Sequence, residues 1–256
     1  MDIAEKVRYA RWWAGLSATQ LARTAGVATS TVTRIESGQL DPTVSVATRL
    51  LEATGRSLLV DAKTVDMSIV AAARLATNPR LALRPVTEGV RTWLDRWSRI
   101  GLVDDDGAVV PGKEADLLFR AGRMARITDR PGKVDFRPTL DADGLVDGMA
   151  RSGLAWALTG DRAANMLAYS AGECWPVAYV EDVDDAAHAL GLQRRPAGEY
   201  GNYVSLIAFD GVSEAEPIQV EGVPLASSDQ VVLDCYGGIG RMREQADYLM
   251  GKRDWT

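Results

Sequence analysis

The chain has 256 residues, of which 46% are hydrophobic and 25% are charged, and its formal net charge is −6 at pH 7. This length predicts two or three small domains, and the composition is typical of a globular protein rather than a fibrous or disordered one. The two cysteines, Cys174 and Cys235, form no CxxC motif, which argues against a disulfide framework and a structural zinc site. The first residues do not resemble a signal peptide and no apolar run is long enough to span a bilayer, so we expect a cytoplasmic protein without a membrane partner.

Charge is unevenly distributed along the sequence. Residues 1–100 contain 14 Lys and Arg residues against 9 Asp and Glu, whereas residues 141–256 contain 8 against 19. A basic N-terminal part and an acidic C-terminal part suggest two different binding partners. The alternative is that the acidic rear surface only keeps the domain in solution.

Four short helices are predicted in the first 55 residues. The second begins at Ser17, whose side chain forms a capping box with Gln20, and it ends at Gly26. After a turn of three residues, Thr29 or Ser30 caps the third helix. The apolar residues that recur at helical spacing and face inward are Ile3, Val7, Ala10, Ala14, Leu21, Ala22, Ala25, Val32, Ile35, Val44, Ala47, Leu50 and Leu51.

The second and third helices, joined by a tight turn that contains glycine, form a helix-turn-helix arrangement. In such an arrangement the second of the two helices lies in the major groove of DNA, with its first side chains on base edges. The exposed face of this helix would present Thr29, Ser30, Thr33 and Arg34. The hydroxyl groups suit phosphates or the edges of thymine and adenine, and Arg34 can bind guanine O6 and N7 bidentately, which is worth about 1–3 kcal/mol against a wrong base.

The segment GLSATQLARTAGVATSTVTRIESGQLDPT resembles the helix-turn-helix of the Xre/Cro-repressor family, and the resemblance covers residues 5–60. The base contacts that it implies are Thr29, Ser30 and Arg34. The DNA-backbone contacts that it implies are Thr31 and Thr33, and we further predict backbone contacts from Ser17 and Gln20. The family usually has a glutamine one residue after the serine, where this chain has Ala18. An alternative is a four-helix module used only for dimerisation or for docking a partner protein.

Residues 63–140 are predicted to form a mainly helical linker. Pro79 and Pro85 divide its basic first half into shorter helices, and the segment KEADLLFRAGRMARI predicts a further helix. Residues 86–112 resemble part of a second, winged helix-turn-helix, and residues 128–140 are rich in turn formers.

From residue 141 the sequence alternates between helical and extended patterns, which predicts an α+β domain over residues 141–256. Strands are predicted at LAWALTG, WPVAYVE, NYVSLIAF and PIQVEGVPLA, with helices between and after them. The domain resembles the C-terminal domain of AbiEi-family antitoxins through the segments GLAWALTGDRAANMLA, WPVAYVEDVDDAAHALGL and VEGVPLASSDQVVLDCYGGIGRMREQADYLM. The resemblance implies a nucleotidyltransferase-like toxin, encoded by a neighbouring gene, as a partner.

The segment WALTGDRAANML also resembles the strand–glycine–helix opening of a nucleotidyltransferase. Such an enzyme places a D-x-D pair on the next strand, where the two carboxylates hold Mg²⁺ against the nucleotide phosphates. The aligned positions in WPVAYVE are Val177 and Tyr179, and neither side chain can bind a metal. We therefore expect a nucleotidyltransferase-like fold without catalysis, and neither a cofactor nor a metal.

These observations predict a multi-domain protein with an all-α helix-turn-helix domain at residues 1–62, a linker at residues 63–140 and an α+β domain at residues 141–256. The predicted function is that of a transcriptional autorepressor that binds an inverted-repeat operator in double-stranded DNA as a homodimer. It would serve as the antitoxin of an AbiE-like toxin–antitoxin pair. Two alternatives stay open: a one-component regulator whose rear domain binds a small ligand, and an active nucleotidyltransferase.

Overall fold

The computed structural model describes residues 2–59, 67–81, 86–168, 172, 175–196, 199 and 203–251. The chain divides into two compact units, residues 1–63 (unit 1) and residues 64–256 (unit 2). Among the helices of the described residues, none combines the length and the hydropathy that crossing a bilayer requires.

Unit 1 consists, in its described part, of four helices around one small apolar core. They are α1 (Ile3–Trp13), α2 (Ala18–Ala25), α3 (Thr29–Glu36) and α4 (Val44–Glu52). Most of the residues that the helical spacing predicted to face inward are buried, but Val44 is exposed at the start of α4. Ala14 is also exposed, because α1 ends at Trp13 and Ala14 is its C-cap. The segment SLLVDA, whose pattern fits either a short strand or the end of the helical bundle, forms no strand at residues 57–59, and the rest of it lies outside the described residues.

Unit 2 contains, in its described part, eight α-helices and a six-stranded sheet. The helices are α5 (Ser68–Thr77), α6 (Glu88–Ser98), α7 (Glu114–Met124), α8 (Ala142–Ser152), α9 (Gly160–Leu167), α10 (Val183–Ala189), α11 (Ser228–Tyr236) and α12 (Met242–Gly251). The strands are β1 (Lys133–Phe136), β2 (Trp156–Thr159), β3 (Val177–Val180), β4 (Val204–Ala208), β5 (Ile218–Val220) and β6 (Val223–Leu225). The elements predicted after residue 141 are confirmed, and PIQVEGVPLA forms the hairpin of β5 and β6.

The sheet is mixed and has the strand order β1-β4-β3-β2-β6-β5. β3 runs parallel to β4 and β2 runs parallel to β6, whereas the other neighbouring strands are antiparallel. Every residue of β3 is buried, as the apolar run in WPVAYVE predicts for a strand covered on both faces. A mixed sheet combined with helices gives unit 2 the α+β architecture expected from the alternating pattern.

Strand β1 lies in the segment that was expected to be rich in turns. Pro131 and Gly132 precede it and Pro138 soon follows, so only four residues are extended, which is too few for a clear alternation. The strand is defined instead by its antiparallel pairing with β4, in register from Lys133 opposite Ile207. Its partner strand is far away in the sequence, and no local pattern indicates that pairing.

The described residues on both sides of the predicted boundary at residue 140 share one hydrophobic core. Val70 of α5 and Leu117 of α7 are fully buried in it, together with residues of β3 and α11. The apolar faces of α5 and α7 thus belong to the core of unit 2 rather than to a separate linker. Residues 86–112, which resemble part of a winged helix-turn-helix, contain α6 and an isolated β-bridge between Val103 and Val109.

Candidate functional site

Helix α2 begins with the predicted capping box. The Ser17 Oγ atom accepts a hydrogen bond from the Gln20 backbone N–H at 3.2 Å, and Gln20 Oε1 accepts one from the Ser17 backbone N–H at 2.8 Å. Both residues are exposed, and the box leaves the Ser17 hydroxyl hydrogen and the Gln20 Nε2 group unused. These two predicted DNA-backbone contacts therefore keep a donor for another group while they stabilise the start of the helix.

The turn between α2 and α3 depends on Gly26. Its φ of 65° and ψ of 40° lie in the left-handed region, where a glycine ends α2 without strain. The Val27 backbone N–H then donates to the Ala22 carbonyl at 2.9 Å, which closes the turn. A Cβ atom at Gly26 would lie 4.0 Å from Arg49 Nη1, so the guanidinium of α4 lies beside this turn.

Helix α3 begins differently from the prediction. Its N-cap is Ala28, not Thr29 or Ser30, and no side chain accepts a hydrogen bond from the first turn. The reason is that Ala28 keeps an extended backbone, with φ −72° and ψ 145°, while Thr29 and Ser30 already lie inside the helix. The N–H groups at the start of α3 are therefore left without a side-chain acceptor at the positive end of the helix dipole, which is the arrangement that binds a phosphate.

The polar face of α3 is exposed as predicted. Val32 and Ile35 are buried on one side, and the residues exposed on the other side are Thr29, Ser30, Thr33 and Arg34. Thr31, at the boundary between the two sides, is half-buried. The Thr33 hydroxyl donates to the Thr29 carbonyl at 3.1 Å, so its oxygen can still accept a hydrogen bond. All three predicted base-contact residues therefore lie on one accessible helix face.

Two further cations lie beside the turn between α2 and α3, and neither was singled out from the sequence. Arg23 is exposed in the last turn of α2, and Arg49 lies beside the turn at Gly26. Each falls in the last turn of its own helix, where a cation is ordinarily explained by the helix dipole. Only the packing of α4 against α2 brings Arg49 to the turn, so the local sequence could not indicate it.

Two short helices joined by a glycine turn, with a polar second helix exposed, define a DNA-binding helix-turn-helix domain. Residues 7–60 match the helix-turn-helix family model, which covers 54 of the 256 residues. No curated protein and no solved structure matches the chain. The match supports the class of DNA-binding transcriptional regulators with an Xre-like helix-turn-helix, and it says nothing about unit 2.

A buried polar network lies at the centre of unit 2, around the Asp234 carboxylate of α11. Arg130 Nη2 donates to Oδ1 at 2.8 Å, and the Gln230 amide donates to the same oxygen at 2.9 Å. The hydroxyls of Thr159 and Tyr179 donate to Oδ2 at 2.7 Å and 2.8 Å. All five residues are buried, and each carboxylate oxygen has two donors. Arg130 thus neutralises the charge of Asp234, and all four donors stabilise its carboxylate through hydrogen bonds.

Tyr179 is the residue that the sequence predicted to stand at the second carboxylate position of a nucleotidyltransferase D-x-D pair. Burial raises the pKa of its hydroxyl well above the ordinary value, so the group stays protonated and donates to Asp234. Burial also raises the pKa of Asp234, and Arg130 together with the other donors opposes that shift. Val177, at the other aligned position, is part of the apolar core. Both aligned positions are therefore occupied by buried side chains of the core of unit 2.

The carboxylates after β3 have a structural role at the start of α10. Asp182 is the N-cap, and its Oδ1 atom accepts hydrogen bonds from the backbone N–H groups of Asp184 and Asp185 at 2.8 Å and 2.9 Å. Asp184 in turn pairs with Arg194 on the surface. Among the residues that the structure describes, no group of three or more His, Cys, Asp or Glu side chains is arranged to hold a metal ion.

Proposed function

We propose that this chain is a sequence-specific transcriptional repressor that reads its operator with α3. The observation that supports this best is the exposed polar face of α3 on a helix whose N-terminus has no side-chain cap. A phosphate can accept from the free N–H groups while side chains of the first two turns reach the base edges. Thr29, Ser30 and Arg34 would contact bases, and Ser17, Gln20, Thr31 and Thr33 would contact the DNA backbone.

The repressor is proposed to act as a homodimer on an inverted repeat. A single helix-turn-helix contacts only a few base pairs, and two copies related by a two-fold axis bind half-sites about 34 Å apart. The operator is expected directly upstream of the gene of this protein, since an autorepressor controls its own synthesis.

The proposed role of unit 2 is that of an antitoxin domain that acts against a nucleotidyltransferase-like toxin. Its acidic composition suits a basic partner, and the resemblance of residues 141–256 to AbiEi-family antitoxins supports the assignment. The closed network around Asp234 favours a non-catalytic domain, because Tyr179 and Val177 stand where the carboxylates of an active transferase would be needed. We therefore propose no enzymatic activity for this unit.

Fluorescence anisotropy of the full-length protein on the upstream DNA, against a scrambled duplex at physiological salt, tests the repressor proposal. Specific binding should exceed competitor binding by roughly a thousandfold. Arg34→Ala should weaken operator binding by about tenfold or more, because a bidentate guanine contact is lost. Equal affinity for the operator and the scrambled duplex would reject the proposal.

Arg34→Lys provides the matched control for base reading. Lysine keeps the positive charge but cannot form the planar bidentate contact, so this variant should keep its non-specific affinity and lose its base preference. If the Arg34→Lys variant preserves the preference, Arg34 contacts the phosphate backbone only. The antitoxin role of unit 2 is tested separately by co-expression with the neighbouring gene. Failure to relieve growth arrest would reject the antitoxin role but would not affect the repressor proposal.

A further inference from the structure

A pocket of about 420 Å³ lies in unit 1, between α1 and the segment that follows α4. We call it the α1 pocket, and its main lining residues are Lys6, Tyr9, Trp13, Arg56, Leu58 and Leu59. Its volume falls in the range of about 300–1,000 Å³ that small-molecule sites occupy. The residues that were singled out for DNA contact do not line it, so it is a separate feature of the domain.

Large apolar and aromatic side chains on the walls of the α1 pocket are exposed. Tyr9 and Trp13 are 55% and 64% exposed, and Leu59 is 91% exposed. Clustered aromatic and aliphatic side chains in water mark a binding surface more often than single exposed residues do. The ring of Trp12 meets the ring of Trp13 edge to face, with centroids 5.3 Å apart, but Trp12 does not line the pocket.

Two cationic side chains also line the pocket. Lys6 and Arg56 are exposed at its edge, and within the described part of the chain neither forms an ion pair with a carboxylate. Arg11, on the same helix α1, contrasts with them because it is paired with Glu36. Two unpaired cations beside aromatic rings provide attraction for a negative charge and a surface for stacking.

We propose that the α1 pocket binds a small organic anion with an aromatic ring, which would lie against Tyr9 and Trp13 while its acidic group meets Lys6 and Arg56. Aromatic carboxylates and sulfonates have this chemistry. This proposal goes beyond the repressor function proposed above. Ligand binding to the α1 pocket is measured without DNA, so a negative result for either proposal does not reject the other.

The probe for the test is 8-anilinonaphthalene-1-sulfonate, an aromatic sulfonate, titrated into the full-length protein by isothermal calorimetry. N-phenyl-1-naphthylamine, which has the same rings without the sulfonate, is titrated in parallel by fluorescence. The sulfonate is expected to bind one site per chain and to bind at least about fivefold more tightly than the neutral compound, because it adds a charge-assisted contact. Equal affinity for the two compounds would overturn the role of the cations.

Neighbouring tryptophans on α1 provide a matched pair of variants. Trp13→Ala should weaken sulfonate binding by about tenfold, since it removes one aromatic wall, whereas Trp12→Ala should change it by less than about twofold. Both residues are exposed, so both variants should fold, which circular dichroism checks. Arg56→Gln should weaken the sulfonate by about fivefold and leave the neutral compound unchanged. An equal loss in the two tryptophan variants would indicate unspecific adsorption and overturn the proposal.

A second copy of the chain could fill the same pocket, and the titration distinguishes this case. If affinity for the sulfonate falls as the protein concentration rises, and if Trp13→Ala converts a dimer into a monomer in sedimentation velocity, the pocket is a self-association surface. That result would overturn the assignment of a small anion. Unchanged affinity across protein concentrations supports it.

Discussion

Arg11 and Glu36 join the first helix of the protein to the end of the third through two parallel hydrogen bonds. Arg11 Nε donates to Glu36 Oε1 at 2.7 Å, and Nη2 donates to Oε2 at 2.8 Å. The remaining Nη1 group donates to the Leu16 carbonyl at 3.0 Å, which fixes the connection between α1 and α2. The hydrogen bond to Glu36 raises the pKa of Arg11. The C-terminal end of α3 is thus held by the fold, while its N-terminal end is left open.

A double-mutant cycle with Arg11→Gln and Glu36→Gln should reveal a coupling free energy of about 1 kcal/mol in urea denaturation of the protein, because the pair is bidentate and partly buried. The coupling should shrink in 1 M salt as the charges are screened. Strictly additive losses in the two single variants would contradict the coupling and reduce the pair to two independent contacts.

Substituting the N-cap of α3 should change stability and DNA binding in opposite directions. Ala28→Asp provides the missing acceptor for the first turn, so the free energy of unfolding of unit 1 should rise by about 1 kcal/mol. The same carboxylate would occupy N–H groups that are proposed to meet a phosphate and would add a negative charge there, so operator affinity should fall. Urea denaturation and anisotropy measure the two effects.

Ala28→Ser is the control for this prediction, since serine caps the helix without adding charge. It should stabilise unit 1 similarly and weaken DNA binding less than Ala28→Asp does. If Ala28→Asp leaves operator affinity unchanged, the N-terminus of α3 does not approach a phosphate.

The buried ion pair of unit 2 should be far more sensitive to substitution than an exposed pair. Asp234→Asn leaves the buried Arg130 without a counter-charge, and the loss of unfolding free energy should be about 3–5 kcal/mol. The matched control is Asp184→Asn, which breaks an exposed ion pair with Arg194. The Arg194 side chain is 62% exposed and the Asp184 side chain is 77% exposed. That variant should melt at the temperature of the parent protein. Similar melting temperatures for both variants would show that the network around Asp234 contributes little.

The crossing of α7 and α11 should not tolerate a side chain at Gly122. A Cβ atom there would lie 2.3 Å from the Leu233 carbonyl oxygen, so Gly122→Ala must push the two helices apart. We expect a loss of at least about 2 kcal/mol in unfolding free energy from overpacking. Gly251→Ala, at the end of α12 where a Cβ meets open space, should cause no loss. Thermal denaturation of the two variants compares them directly.

Local patterns in the sequence predicted most helices and strands, because each has an apolar period or a cap within a few residues. Ser17 and Gln20 are three positions apart, and their hydrogen bonds are formed as expected. The predicted N-cap of α3 was wrong because Thr29 and Ser30 both belong to residue types that commonly cap helices. The observed N-cap, Ala28, depends on the backbone conformation of the turn that begins at Gly26.

Features that depend on distant partners could not be predicted in this way. Arg130 is 104 positions from Asp234, and nothing near either residue indicates that they meet. Arg49 approaches the turn at Gly26 only after α4 packs against α2. The polar face of α3 needed only the helical period within one segment, which explains why the predicted base-contact residues were found exposed.

The four donors to the Asp234 carboxylate come from widely separated parts of the chain, from Arg130 to Gln230. Unfolding of α11 would remove this acceptor from Arg130, Thr159 and Tyr179 at once, and an unsatisfied polar group in an apolar interior is costly. We therefore expect α11 to unfold together with the elements that hold the other donors, and not by itself.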